Sequence, residues 1–323
     1  MRAPGRNPLV VVAGPTATGK TQVAIAIARR VDAEIVCADS RTVYRGMDIG
    51  TAKPSLAERA LVPHHLLDVA DPADPFTLAD YQRLAVEAID AIHGRGRTAI
   101  LTGGTGLYIR AVIDRVAVPS AAPDWDLRER LAAEERAAPG ALHRRLREID
   151  PDSAERIHPH NVRRVIRALE VWEVTGTPMS AFHAQVRGDR WATGEDTATG
   201  MAALTMDRER LHERIDRRID AQLAAGLVEE VRVLLRAGCR RALPSMQGLG
   251  YKEIAAYLEG EVTFDAAVAQ LRRDTYRYAK RQLTWFRADP RYRWIDVDDT
   301  PAERVASRML EMLSAGNSPG SVI

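Results

Sequence analysis

Leu9–Arg30, LVVVAGPTATGKTQVAIAIARR, reads as a buried strand, a glycine-bounded loop and an amphipathic helix in immediate succession. Within it, Gly14, Pro15, Thr16, Ala17, Thr18, Gly19, Lys20 and Thr21 fit G-x-x-x-x-G-K-[ST] at every position, the pattern of a phosphate-binding loop. Glycines at both ends let successive backbone N–H groups turn inward, and a helix beginning near Lys20 adds the partial positive charge of its N-terminus. In such a loop Lys20 reaches the outer phosphates and the Thr21 hydroxyl sits on a magnesium ion. The pattern specifies a diphosphate or a triphosphate without saying which.

Further along, Glu34–Ala38 is a short β-favouring run that ends in Asp39-Ser40. Polar residues at the carboxyl end of a strand face the ligand crevice of an α/β sheet, so Asp39 is the first candidate base beside the loop. A structured loop follows over 41–54, then a strand over 64–69, an amphipathic helix over 78–93 and a buried strand over 98–102. This alternation predicts an α/β fold with a phosphate-loop core, its parallel sheet covered by helices. The strand at 98–102 runs into Gly103-Gly104-Thr105-Gly106 and not into the Asp that would hold magnesium in an NTPase, which weakens a motor or kinase reading.

From about Val116 prolines punctuate short charged helical stretches until roughly Gly200, and strand-like runs disappear. We read residues 116–199 as an inserted helical subdomain, 1–115 as the first part of the core, 200–315 as the core's return and C-terminal helices, and 316–323 as a disordered tail. Residues 201–206 supply the returning strand. Within the insert, Arg163, Arg164 and Arg167 share one side of a predicted helix. A helix or helix pair follows over 207–236, where Arg214 and Arg218 share a face, and then a Gly-rich turn over 247–252. The stretch 272–293 carries seven Arg and Lys280 against two Asp, interleaved with Tyr276, Tyr278, Trp285, Phe286 and Tyr292. Cations alternating with rings suit single-stranded or looped nucleic acid, although Tyr276 and Phe286 are expected in the core.

With 323 residues and 46% hydrophobic content the chain can bury a large core, and its net charge of +2 does not by itself mark a nucleic-acid binder. Cys37 and Cys239 stand in no metal-binding or redox spacing and are expected as small core residues. No apolar segment precedes the first strand, so neither a signal nor a membrane span is expected, and the chain is expected in the cytoplasm as a monomer. Only four lysines, Lys20, Lys53, Lys252 and Lys280, stand beside 42 arginines. They are candidate positions where a compact ammonium is required.

The motifs GPTATGKT, DSRTVYRGMDIGTAKP, GGTGLY, IHPHNVRRVIRALEVWEVTG, QGLGYKE and YAKRQLTWFR occur in this order, and through them the chain resembles the tRNA dimethylallyltransferases from Val10 to Trp294. The resemblance implies transfer of a dimethylallyl group from dimethylallyl diphosphate to the exocyclic amine of the adenosine 3′ of the tRNA anticodon, with Mg2+. It implies Asp39 as base, with Lys20, Thr21 and Arg218 stabilising the leaving diphosphate and Thr105 bordering both substrates. It further implies tRNA contacts at Asp39, Ser40, Arg41, Thr42, Arg128, Arg163, Arg164, Arg167, Gln247, Gly248, Gly250, Tyr251, Lys252, Lys280, Arg281, Gln282, Trp285 and Arg287. The family often has Gln where this chain has Thr42, which removes an amide that could bond the flipped adenine. The alternatives are a prenyltransferase acting on free adenine nucleotide and a phosphate-loop nucleotide kinase.

Overall fold

Five apolar residues in a row leave β1 (Leu9–Ala13) no polar face to turn to water, and all five are buried. The computed structural model describes residues 9–119, 123–184 and 200–315. Along the chain, β1 is followed by α1 (Lys20–Ala28), β2 (Ala33–Cys37), α2 (Leu56–Leu61), β3 (His64–His65), α3 (Leu78–Gly94), β4 (Thr98–Gly103) and α4 (Gly106–Ile113). Next come α5 (Trp125–Ala137), α6 (Ala141–Ile149), α7 (Pro151–Arg156), α8 (Val162–Thr175) and α9 (Met179–Ala184). The chain then forms β5 (Gly200–Thr205), α10 (Arg208–Ala224), α11 (Leu227–Arg236), a 3-10 turn at Ser245–Gln247, α12 (Tyr251–Leu258), α13 (Phe264–Arg287), β6 (Arg293–Asp296) and α14 (Ala302–Ala315).

The six strands form one sheet in the order β3-β2-β4-β1-β5-β6, and every pairing is parallel. Parallel strands require covering helices on both faces, which explains why β1 and β2 are buried throughout. The fold is therefore α/β. The division into compact units falls at Met1–Phe76, Tyr81–Ile109 and Trp191–Ile323 for the first, and Thr77–Asp80 and Arg110–Arg190 for the second. The longer segment of the second unit thus begins at Arg110, inside α4, ahead of the Val116 boundary expected from composition.

In the first unit α1 is buried from Val23 to Ala28, where an amphipathic helix was expected. Val305, Ala306 and Met309 of α14 join Val23, Ile25 and Ile27 in one apolar cluster, so both sides of α1 are covered. A second cluster joins Ile215 and Ile219 of α10, Val231 of α11, Ile254 of α12 and Leu271 of α13 with Val43 and Met47 of the loop after β2. The expected pair over 207–236 is α10 and α11: Asp207 caps α10 by accepting from the N–H groups of Glu209 and Arg210, and Gly226 separates the two helices. Cys37 and Cys239 are free and buried.

The strand expected over 64–69 stops after two residues, because Leu66 and Asp68 adopt positive φ values of 63° and 58°. That bend brings the Asp68 carboxylate onto Lys53 Nζ at 2.6 Å and Arg59 Nη1 at 2.8 Å. The second unit has its own core of Leu127, Leu131, Leu142, Leu146, Val165 and Leu169. Residues 185–199 of the expected insert and the expected tail lie outside the described residues. No helix among the described residues is long and apolar enough to cross a membrane.

Candidate active site

Three strand ends meet at the site. β1 runs into the phosphate loop, β2 runs through buried Ala38 into Asp39, and β4 ends at Gly103. Gly14 leaves β1 at a φ of 143°, and a Cβ there would lie 2.8 Å from the Leu204 carbonyl oxygen of β5, so the first glycine of the motif is required by packing as well as by dihedral angle. Within the loop, Thr18 Oγ1 and Lys20 Nζ both donate to the Pro15 carbonyl, at 2.9 and 2.7 Å. Burial first, and then the neighbouring Arg218, lower the Lys20 ammonium to about 7 against the opposite pull of Asp39. Arg218 is likewise lowered by burial against the pull of Asp39.

Asp39 is set by the chain around it. Its Oδ1 accepts from the Arg41 N–H at 2.8 Å, while Thr105 Oγ1 accepts from the Ser40 N–H at 3.1 Å and the Thr105 N–H donates to the Ala38 carbonyl. The Gly103–Gly106 turn therefore holds the end of β2 in place. A cavity of about 280 Å³ is lined by Asp39, Arg41, Arg218, Tyr278 and Arg281, with Ile219 among its apolar residues. A second, of about 380 Å³, is lined by Lys20, Thr21, Lys53, Arg214, Arg218 and Glu58. Arg218 belongs to both. The second cavity is dominated by cations, whereas Asp39 is the single carboxylate among the described residues that line the first.

Most of the expected site residues of the first unit gather here. Ser40, Gln247, Gly248 and Lys252 also line the first cavity, and Gly250 directly precedes α12. Lys252 is ion-paired with Asp274 at 2.7 Å. Thr42 is buried. Two further residues expected at tRNA are buried as well. Tyr251 is fully buried with its phenol donating to Glu230 Oε1 at 2.6 Å, and Gln282 is 5% exposed with both ends of its amide bonded to backbone. Lys280, Arg281, Trp285 and Arg287 are exposed on α13; Arg281 lies over Tyr278 at 5.9 Å and Arg287 over Trp294 at 5.8 Å. Phe286 is core, and Tyr276 is half-buried with its phenol on Asp216.

In the second unit, Arg163 and Arg164 are exposed at the start of α8. Arg128 and Arg167 are engaged within the unit: Arg128 makes two 2.8 Å bonds to the fully buried Glu170 and Arg167 a third at 2.5 Å. Burial by itself would raise the Glu170 carboxyl, but these bonds hold it below the usual range.

Glu230 and Gln222, missed from the sequence, organise the loop after β2 together with Arg218 and Lys53. Glu230 accepts from the N–H groups of Asp48, Ile49 and Gly50, Gln222 donates to the carbonyls of Ile49 and Gly50, and Arg218 donates to that of Thr51. Lys53 is buried against Asp48, Asp68 and the Tyr44 carbonyl. Arg214 was readable, since it lies one helical turn before Arg218. Among the described residues no group of three or more His, Cys, Asp or Glu is arranged to hold a metal ion.

The family model described as IPP transferase matches residues 42–289. The tRNA dimethylallyltransferase of Desulforudis audaxviator is 52% identical over 293 residues, covering 90% of this chain and 93% of that protein. That of Moorella thermoacetica is 47% identical over 320 residues, covering 96% of each. The crystal structure of the full-length tRNA isopentenylpyrophosphate transferase of Bacillus halodurans superposes with a TM-score of 0.69 at 42% identity, covering 97% of both chains. The chain belongs to the IPP transferase family, with the tRNA dimethylallyltransferases as its relatives.

Proposed function

We propose that the protein transfers a dimethylallyl group from dimethylallyl diphosphate to the exocyclic N6 amine of the adenosine 3′ of the anticodon in tRNA, releasing diphosphate. The observation that carries this reading is the position of Arg218, which borders both the cation-lined cavity at the phosphate loop and the cavity holding Asp39. A diphosphate seated on one side and an amine entering on the other would meet there.

The adenine amine is a poor nucleophile. As its nitrogen bonds to the allylic carbon, the carbon–oxygen bond to the diphosphate breaks, and Asp39 accepts the proton the nitrogen loses. Lys20, Arg218 and the loop N–H groups meet the charge growing on the departing diphosphate. The donor set fits magnesium poorly as a protein-caged ion but well as an ion carried by phosphate oxygens and water, with the Thr21 hydroxyl as the protein's share. Bound in that way, magnesium would supply further positive charge to the leaving group. On tRNA, the phosphates and unstacked bases of the anticodon loop suit the exposed Lys280, Arg281, Trp285 and Arg287. The expected working form is a cytoplasmic monomer.

A nucleotide kinase reading is disfavoured because β4 is followed by Gly104 and Thr105 and not by an acid. Titration with dimethylallyl diphosphate and with ATP tests this: the reading expects magnesium-supported binding of the prenyl diphosphate and no ATP turnover. Steady ATP hydrolysis dependent on Lys20 would overturn it.

A further inference from the structure

We infer that Gln282 is a positioning residue of the phosphate loop, holding the Pro15–Thr16 peptide in place for the diphosphate and fastening it to the helix that lines the acceptor cavity. The inference rests on the proposed diphosphate site.

The Gln282 amide joins two segments remote from it in sequence. Its Oε1 accepts from the Thr16 N–H at 2.9 Å, and its Nε2 donates to the Gly104 carbonyl at 2.8 Å. The first bond completes a clamp on a single peptide unit. The Pro15 carbonyl is held by Thr18 and Lys20, and the N–H on the other side of the same planar peptide is held by Gln282. When a diphosphate draws Lys20 away from Pro15, Thr18 and Gln282 remain to keep that peptide from turning. The Thr16 N–H is then engaged by protein, leaving the later amides of the loop for phosphate.

The second bond fits an equally specific space. A Cβ on Gly104 would lie 2.3 Å from Gln282 Nε2, so the glycine turn approaches the amide as closely as it does because it lacks a side chain. Gln282 is 5% exposed, and an apolar replacement would leave the buried Gly104 carbonyl and the half-buried Thr16 N–H without their side-chain partner. Tyr278 lies one helical turn earlier on α13 and lines the cavity of Asp39. The donor-binding loop and the acceptor-facing helix are thus fixed to each other through one side chain.

A direct tRNA contact at position 282 would give the opposite pattern of defects. The test is calorimetric titration of wild type, Gln282→Met and Gln282→Glu with dimethylallyl diphosphate and magnesium, and separately with tRNA. Gln282→Met should bind the prenyl diphosphate about tenfold more weakly while its tRNA affinity changes less than about twofold. Gln282→Glu carries a pH signature. A protonated carboxyl can both accept from Thr16 and donate to Gly104, so its affinity relative to wild type should approach one near about pH 5 and fall tenfold or more by about pH 8, where the charged carboxylate faces a carbonyl.

If Gln282→Met does not fold, the pH-dependent ratio for Gln282→Glu decides. A flat ratio, or unchanged prenyl diphosphate binding with weakened tRNA binding, overturns the inference alone. Failure of the wild-type chain to bind prenyl diphosphate overturns the functional reading and this inference with it.

Discussion

The Lys20 ammonium lies 2.7 Å from the carbonyl oxygen of Pro15, so the motif lysine is bonded to its own loop. Its pKa is held at about 7 by burial and by Arg218, against Asp39. A bound diphosphate favours the charged form and raises that pKa, so binding above pH 7 takes up a proton. Affinity should fall as pH rises from about 7 toward the pKa of the complex, by up to about tenfold per pH unit. Calorimetry at about pH 8, where the ligand's own phosphate is fully ionised, in two buffers of different ionisation enthalpy reads this uptake. Equal uptake by Lys20→Met would contradict the assignment.

Asp39→Asn keeps the acceptor for the Arg41 N–H but cannot take a proton. Single-turnover transfer should fall by roughly 10²–10⁴ with little change in tRNA affinity. A near-normal rate in this variant means the proton leaves by another route.

Arg128 and Arg163 should fail in different ways. Arg128→Ala strips two hydrogen bonds from the buried Glu170 while Arg167 and the Asp124 N–H stay bonded to it, and should cost about 1–3 kcal/mol of folding stability, visible as an earlier thermal transition. Arg163→Ala with Arg164→Ala should leave stability nearly unchanged and, if both contact phosphates, make the slope of log tRNA affinity against log salt shallower by up to about two units. An unaltered slope assigns that helix face to solvent alone.

Gly14→Ala should destabilise the first unit by about 2 kcal/mol or more, since the new Cβ would meet the Leu204 carbonyl at 2.8 Å in a backbone conformation that L residues rarely adopt. Differential scanning calorimetry should show a melting point several degrees lower. Wild-type stability would mean that β1 and β5 have room the geometry does not indicate.

The strand, loop and helix at 9–30 were legible because their signals are local: an apolar run, a fixed spacing and a helix start. What escaped depends on partners far along the chain. α1 could not be distinguished from a half-exposed helix without α14, which joins its cluster through Val305 and Met309. The short β3 follows from Asp68 turning toward Lys53 and Arg59, an attraction no alternation of polar and apolar residues encodes. In sequence Arg167 reads with Arg163 and Arg164 as one basic helix face and Arg128 enters only through the resemblance; the bonds both make to the buried Glu170 depend on packing that charge in sequence does not reveal. Gln282 sits in the most basic stretch of the chain, and only the approach of Thr16 and Gly104 marks it as belonging to the loop.

The most direct test of the account is to incubate the protein and magnesium with dimethylallyl diphosphate labelled in its five-carbon group, in parallel with tRNA and with AMP. The account predicts label on the N6 amine of the adenosine 3′ of the anticodon, diphosphate released in equal amount, and no labelled AMP. Label transferred to AMP while tRNA stays unmodified would contradict it.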